Sequence, residues 1–229
     1  MGELLTVFPE VLRQVAHSRL LLVGFGTYRE HLEGMVQALR AGKAKQFARY
    51  ARAGGFVQEL DFARWFRRLS KEEASRIALT GMLDHDVLRD VLPLVSLTVV
   101  PSKWPEAFGM VAVESMAAGV LPLCTYHAGL RDVVDAVAAE DAELAEWMSL
   151  PRDRFVDELP GRICAALEFL YPEGFGDPTQ RNRVGRRLRK IAISNFSWEE
   201  IVKRLLRPKR ARSKAPGKRT RRARARRRS

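Results

Sequence analysis

Hydrophobic positions follow two different spacings in the first forty residues. Between residues 3 and 16 they recur every three or four positions, which is typical of an amphipathic helix: Leu4, Leu5, Phe8, Val11, Leu12 and Val15. A continuous apolar run over residues 19–23 follows and ends in Gly24-Phe25-Gly26. An apolar run that is closed by glycines and followed by a helical pattern, here over residues 28–39, indicates a buried parallel strand.

The same alternation continues along the chain. Strands are predicted at residues 77–80, 96–100 and 120–124, and helices at 86–94, at 109–118 and from 128 onward. This order predicts an α/β domain with a single Rossmann-like parallel sheet and helices on both faces. Capping boxes begin helices at Ser70 and Ser197, whereas residues 41–69 are less regular. Ligands of such sheets bind at the carboxyl ends of the strands, so the candidate loops are 24–27, 81–85, 101–109 and 125–129.

Charge divides the chain into two parts. The net charge is +13, but residues 203–229 contain 15 Lys and Arg and no acid, and the other 202 residues hold 25 bases and 27 acids. We therefore expect a folded domain over residues 1–207 and a disordered basic tail over 208–229. The tail is either a non-specific anchor for nucleic acid or an anionic membrane, a segment without a role, or the product of a disrupted reading frame. The basic stretch 181–190 is predicted to be a solvated helix face.

Several classes of protein are disfavoured. Cys124 and Cys164 lie far apart, and no Cys or His spacing suggests a metal site, so free thiols in a reducing compartment are expected. No apolar run approaches the roughly 18 residues of a membrane span, and no signal peptide is apparent, which predicts a cytoplasmic protein. Arg29 stands where a dinucleotide fingerprint needs glycine, so neither NAD nor another cofactor is predicted.

The segment from Pro101 to Gly119 carries the strongest chemical signal. Gly109 allows close approach of a ligand, and the amides and dipole of the following helix favour a diphosphate. Glu106 precedes this helix, and Glu114 lies inside it among apolar residues. A carboxylate in such surroundings needs a partner, and a ribose diol is a suitable one. The alternative is two solvated glutamates beside an ordinary helix.

Five segments, in this order, resemble motifs of the retaining family 4 glycosyltransferases of the GT-B fold. Residues 21–26 resemble the "VGxG" turn, 80–83 the "GxL/V" loop, 101–119 the E-x7-E signature, 128–134 "GGLxEVV" and 196–198 "FSW". The resemblance covers about residues 3–206. It implies the donor-binding half of a hexosyl-type enzyme that transfers a sugar from a nucleotide-sugar to an acceptor.

The resemblance also implies roles for individual residues. Glu106 would face the donor sugar as the candidate catalytic residue, and Glu114 would bond the ribose. Backbone amides near Phe108, Gly109 and Met110 would hold phosphate or sugar hydroxyls, and Leu83 would lie against the base. The remaining predicted donor contacts lie in the same loops: Gly24, Gly26, His127 and Lys103.

The sequence also departs from the family pattern. The family's "GRLxxEKG" segment, which supplies an Arg and a Lys to the diphosphate, and its acceptor domain both precede the region that matches this chain. Arg19 and Arg29 do not stand in the positions of that basic pair. The sequence therefore predicts a truncated enzyme that is inactive alone and has a separate acceptor-binding lobe as its partner. The alternative is a non-catalytic remnant or a protein that binds a nucleotide or a partner.

Overall fold

Parallel strands surrounded by helices make up the part of the chain that the computed structural model describes, which is residues 1–24, 26–55 and 62–206. The strands are Leu20–Val23 (β1), Ile77–Gly81 (β2), Leu97–Val100 (β3), Leu121–Thr125 (β4) and Ser149–Leu150 (β5). The first helices are Gly2–Gln14 (α1), Arg29–Ala41 (α2), Ala44–Ala53 (α3), Phe62–Trp65 (α4), Lys71–Ser75 (α5) and His85–Val91 (α6), the last continued by a 3-10 turn, Leu92–Leu94. The others are Met110–Ala117 (α7), Ala128–Ala138 (α8), Ala142–Met148 (α9), Phe155–Leu170 (α10), Thr179–Phe196 (α11) and Trp198–Leu206 (α12).

The strands pair in two separate ladders. β1 pairs with β2, and β3, β4 and β5 form a second parallel group in that order. The predicted α/β class with parallel strands is confirmed, but the prediction of one continuous sheet is wrong for the described residues. Apolar runs reveal strands and carry no information about which strands pair.

The core is densest around β4. Every residue of this strand is buried, and α7, α8, α9 and α11 pack around it. A strand buried on both faces is characteristic of parallel sheets that helices cover. Helix α1 buries most of its length, mainly against α10, and it also contacts α4 and α2. The strands, whose carboxyl ends carry the candidate loops, are therefore held by a well-packed core.

Most predicted elements are present with slightly different ends. The Ser70 capping box has both of its bonds: the Glu73 amide donates to the Ser70 hydroxyl at 3.1 Å, and the Ser70 amide donates to the Glu73 carboxylate at 2.8 Å. At α12, the Glu200 amide donates to the Ser197 hydroxyl at 3.3 Å. Helix α3 and strand β5 were not predicted. The predicted tail, 208–229, lies outside the described residues. No helix in the described ranges has the length and apolar character needed to cross a bilayer.

Two glycines allow α7 and α11 to approach closely. A Cβ on Gly185 would lie 2.5 Å from the Gly119 carbonyl oxygen, which is a backbone atom that cannot rotate away. We expect Gly185→Ala to lower the free energy of unfolding by about 1–3 kcal/mol, because overpacking forces the two helices apart. Urea denaturation measures the change.

The matched control is Gly161→Ala in α10, where a Cβ meets nothing within 4 Å. Alanine is the better helix former, so this variant should gain about 0.5–1 kcal/mol. If both variants lost the same stability, the close helix contact would not be the cause.

Candidate functional site

Loops at the carboxyl ends of the strands are tied together in pairs. The Gly24 amide, just after β1, donates to the Gly81 carbonyl at the end of β2 at 2.8 Å. In the other ladder, the Thr125 hydroxyl at the end of β4 donates to the Ser102 carbonyl after β3 at 2.8 Å. The four candidate loops therefore fall into two groups, one on each ladder.

Gly109 begins α7 and shapes the second group. Its φ of 73° and ψ of 44° lie in the left-handed region that favours glycine. A Cβ at this position would approach a methyl group of Leu130 to 2.7 Å, so the site also lacks room for a side chain. As the N-cap residue, Gly109 provides no side-chain acceptor, and the first amides of α7 are left for water or a ligand. This end of the helix favours an anion.

The loop before α7 is held against the start of α8. The Gly129 amide donates to the Glu106 carbonyl at 2.9 Å, and a Cβ on Gly129 would lie 2.4 Å from the Phe108 nitrogen. The side chain of Glu106 is half-buried near the end of β4. Burial raises the pKa of the Cys124 thiol in that strand, and the negative charge of Glu106 raises it further. The Glu106 carboxylate has no hydrogen bond or ion pair with any described residue.

Glu114 is the second carboxylate of this group. It is half-buried on α7, next to the fully buried Ser115 and the half-buried Val113. Within the described ranges its carboxylate also lacks a hydrogen-bond or ion-pair partner. Two half-buried carboxylates without protein partners therefore flank the uncapped start of α7. Such groups are costly unless a ligand or water satisfies them.

Exposed and half-buried side chains line the same region. The ring of Phe108 is partly exposed and makes an edge contact with Phe196, with centroids 5.6 Å apart. Met110 is largely exposed at the start of α7. His127 is the N-cap residue of α8, with its Nδ1 3.4 Å from the Thr125 carbonyl, and its Nε2 is buried without a hydrogen-bond partner.

Lys103 has a structural role that its sequence position does not suggest. Its ammonium group forms an ion pair with Glu3 of α1 at 2.8 Å, and the Glu3 side chain is only 10% exposed. The Lys103 carbonyl accepts a hydrogen bond from Arg152, which follows β5, at 3.1 Å. Lys103 thus joins α1 to the loop after β3. Its predicted contact with phosphate remains a prediction.

The other group of predicted residues surrounds the ends of β1 and β2. Gly24 and Gly26 have φ of 139° and 149°, and the space beside both α-carbons is open. Leu83 is half-buried in the loop after β2. Arg29 was not among the predicted donor contacts, but it lies close to this turn. Its Nη1 is 3.0 Å from the place that a Cβ on Gly81 would occupy, and its Nε donates to the Glu33 carboxylate at 2.7 Å. The sequence signal that could have identified Arg29 is its place at the first position of α2, the helix after a glycine turn.

The described residues contain no group of three His, Cys, Asp or Glu side chains placed to hold a metal ion. The candidate groups near the strand ends are instead carboxylates, backbone amides, one imidazole and the cations Lys103, Arg152 and Arg29.

Comparisons with known proteins identify a family. The family model described as "Glycosyl transferases group 1" matches residues 2–139. A lipopolysaccharide 1,2-N-acetylglucosaminetransferase of Salmonella typhimurium is 29% identical over 136 residues, which are 59% of this chain and 31% of that protein. Among solved structures, a sucrose-phosphate synthase of Thermosynechococcus elongatus matches with a TM-score of 0.48 and 20% identity, over 86% of this chain and 47% of that one. The chain thus spans less than half the length of either protein.

Proposed function

Because the chain belongs to the glycosyl transferases group 1 family, as predicted from its motifs, we propose that residues 1–207 form the donor-binding part of a sugar-transferring enzyme. The donor is a nucleotide-sugar, and the acceptor is bound by a separate lobe. The observation that carries the proposal is the pair of unpartnered carboxylates, Glu106 and Glu114, on either side of the uncapped start of α7.

The diphosphate of the donor binds at the first turn of α7. The backbone amides that follow Gly109 point out of the helix end, and the helix dipole is positive there. Met110 begins this turn and Phe108 directly precedes Gly109, and their amides donate to phosphate or sugar hydroxyls in this proposal. Since the start of α7 contains no acid, nothing in that turn repels an anion.

The two carboxylates then accept hydrogen bonds from hydroxyl groups of the donor on either side of the diphosphate. Glu114, inside α7, bonds the ribose, and Glu106, in the preceding loop, faces the donor sugar. Both are acceptor-only groups when ionised, so diols and sugar hydroxyls are their natural partners. A charge-assisted hydrogen bond of this kind is stronger than a neutral one.

Groups at the edges of the site complete the donor contacts. The His127 ring donates or accepts through the Nε2 that is left without a protein partner. Leu83 and the open turn at Gly24 and Gly26 receive the nucleoside, and Arg29 contributes positive charge on that side. No protein nucleophile is assigned, and the donor-binding role does not need one.

A binding screen tests this function. We expect nucleoside diphosphates and their sugars to raise the melting temperature, with nucleoside monophosphates weaker and nucleosides weakest, because the start of α7 selects the diphosphate. A ligand at about one hundred times its Kd stabilises the folded state by about 2.7 kcal/mol, which is a shift of several degrees.

Inorganic pyrophosphate is the comparison ligand, because it carries the diphosphate without the nucleoside. A response to pyrophosphate equal to that of the nucleoside diphosphates would show that the nucleoside adds nothing to binding, which would contradict the proposed contacts with the ribose and the base. Equal stabilisation by a nucleoside and its diphosphate would contradict the role of α7. A nucleotide-binding protein without transfer and a transferase both pass this screen, and product analysis with added acceptors separates them.

A further inference from the structure

Helix α11 carries a stripe of cations on its outer face. The helix contains six Arg and Lys residues and no Asp or Glu. Two of the six are held by the domain, because Arg181 donates to the carbonyls that precede β3 and Arg187 pairs with Asp141. The other four are exposed and have no hydrogen-bond or ion-pair partner among the described residues, and they form the cationic stripe: Arg183, Arg186, Arg189 and Lys190.

The four side chains of the cationic stripe share one side of the helix. Their positions are three, three and one residues apart, and the buried residues of α11 lie on the opposite side, where the helix packs mainly against α7. Like charges three or four positions apart are neighbours on a helix surface and repel each other, which destabilises the helix. A solvated helix face usually alternates acids with bases. Here the repulsion is relieved only when an anionic partner binds.

The cationic stripe lies away from the candidate donor loops. Arg181 bonds carbonyls just before β3, and Gly185 faces Gly119 just before β4, so the first half of α11 lies at the amino ends of the strands. The last residue of the helix, Phe196, contacts Phe108 at the opposite, carboxyl end. An acceptor lobe has to face the loops at the carboxyl ends, where the donor binds, and would leave the cationic stripe uncovered.

The rest of the domain has the opposite charge. Residues 1–202 hold 25 bases and 27 acids, and the six bases of α11 are among them, which leaves 19 bases against 27 acids elsewhere. A domain with one cationic face and an acidic remainder is oriented by an anionic surface, because the surface attracts that face and repels the others. The cationic stripe is therefore the part of the domain that such a surface would contact.

Two features favour an anionic lipid bilayer over nucleic acid as this surface. The stripe continues along α11 to Ile193, which is 54% exposed and suits the boundary between headgroups and acyl chains. No aromatic residue lies between Arg183 and Lys190, so the stripe offers no ring on which bases could stack. The guanidinium groups of the stripe match the phosphates of lipid headgroups, which they bind in a bidentate manner.

We propose that the cationic stripe binds the headgroups of an anionic lipid bilayer, with Ile193 at the boundary with the acyl chains. Each basic side chain close to such a surface adds to the attraction. The bilayer then lies along the outer side of α11 and leaves the carboxyl ends of the strands open. This surface is independent of the proposed donor site, which uses none of these residues.

Vesicle sedimentation with the full chain tests the cationic stripe. The triple variant Arg183→Gln/Arg186→Gln/Arg189→Gln should bind vesicles of equimolar phosphatidylcholine and phosphatidylglycerol at least about tenfold more weakly than the wild type, because three contacts with anionic headgroups are lost. The matched control, Lys43→Gln/Lys45→Gln/Lys71→Gln, removes the same charge from exposed positions outside α11. It should bind within about threefold of the wild type, since charges beyond a Debye length from the bilayer are screened.

Arginine modification gives a second measurement that reports on individual residues. Phenylglyoxal should modify the three arginines of the stripe much more slowly when the mixed vesicles are present, whereas the exposed Arg154 at the start of α10 should react at the same rate. Vesicle affinity of the triple variant equal to that of the control would overturn the proposal. Unchanged modification of the three arginines would overturn it as well, and a triple variant that lost affinity for duplex DNA but not for vesicles would assign the stripe to nucleic acid instead.

Discussion

Replacing Gly129 with alanine is expected to lower the free energy of unfolding by about 2–4 kcal/mol and to abolish nucleotide binding. The added Cβ would lie 2.4 Å from the Phe108 nitrogen and 2.6 Å from backbone carbons of Ala107 and Phe108. All three are main-chain atoms, so no rotamer change can relieve the contact. The loop that carries Glu106 would have to move, and the hydrogen bond from the Gly129 amide to the Glu106 carbonyl would break.

Chemical denaturation and calorimetry with a nucleoside diphosphate measure the two effects. The neighbouring substitution Ala128→Gly is the matched control. Ala128 has a φ of 46°, in the left-handed region, so glycine relieves strain there while adding entropy to the unfolded chain. These terms oppose each other, and the net change should stay within about 1 kcal/mol with binding retained. A Gly129→Ala variant as stable as the wild type would show that the loop has another acceptable position.

Local signals made much of this fold predictable. The apolar run before Gly24 predicts β1, and the Ser70 capping box predicts the start of α5, because each signal involves residues close in sequence. Gly109 and the helix after it were predicted for the same reason. The family match over residues 2–139 agrees with motifs spread over that region.

Contacts between distant residues were not predictable from these patterns. The stretch 181–190 resembles a solvated basic face, yet Arg181 donates to the Pro93 carbonyl at 2.6 Å and Arg187 donates to Asp141 at 2.8 Å. Gly185 in the same helix faces Gly119, and Lys103 faces Glu3. In each of these pairs the two residues are at least 46 positions apart in the sequence. The smallest separation is that of Arg187 and Asp141. The division of the strands into two ladders also depends on pairing between residues that are far apart along the chain, such as Leu20 and Ile77 in the first ladder.

The two carboxylates should be distinguishable by the ligand that each one affects. We expect Glu114→Gln to weaken binding of a nucleoside diphosphate and of its sugar derivative alike, by about 1–3 kcal/mol, the range for a hydrogen bond to a charged group. Glu106→Gln should leave the affinity for the diphosphate unchanged and weaken only the sugar derivative. Calorimetry with both ligands on wild type and both variants gives the comparison.

Whether Glu114→Gln weakens or strengthens nucleotide binding identifies the role of the carboxylate. Removing a negative charge beside a diphosphate should strengthen binding if the carboxylate merely repelled the phosphates. A weaker affinity in Glu114→Gln therefore indicates a lost hydrogen bond to the ribose. The control is Glu168→Gln, an exposed position on α10 outside the site loops, which should bind like the wild type. If Glu114→Gln bound the nucleoside diphosphate as tightly as Glu168→Gln, the ribose contact would be ruled out. If Glu106→Gln weakened both ligands equally, Glu106 would be a contact of the nucleotide and not of the sugar.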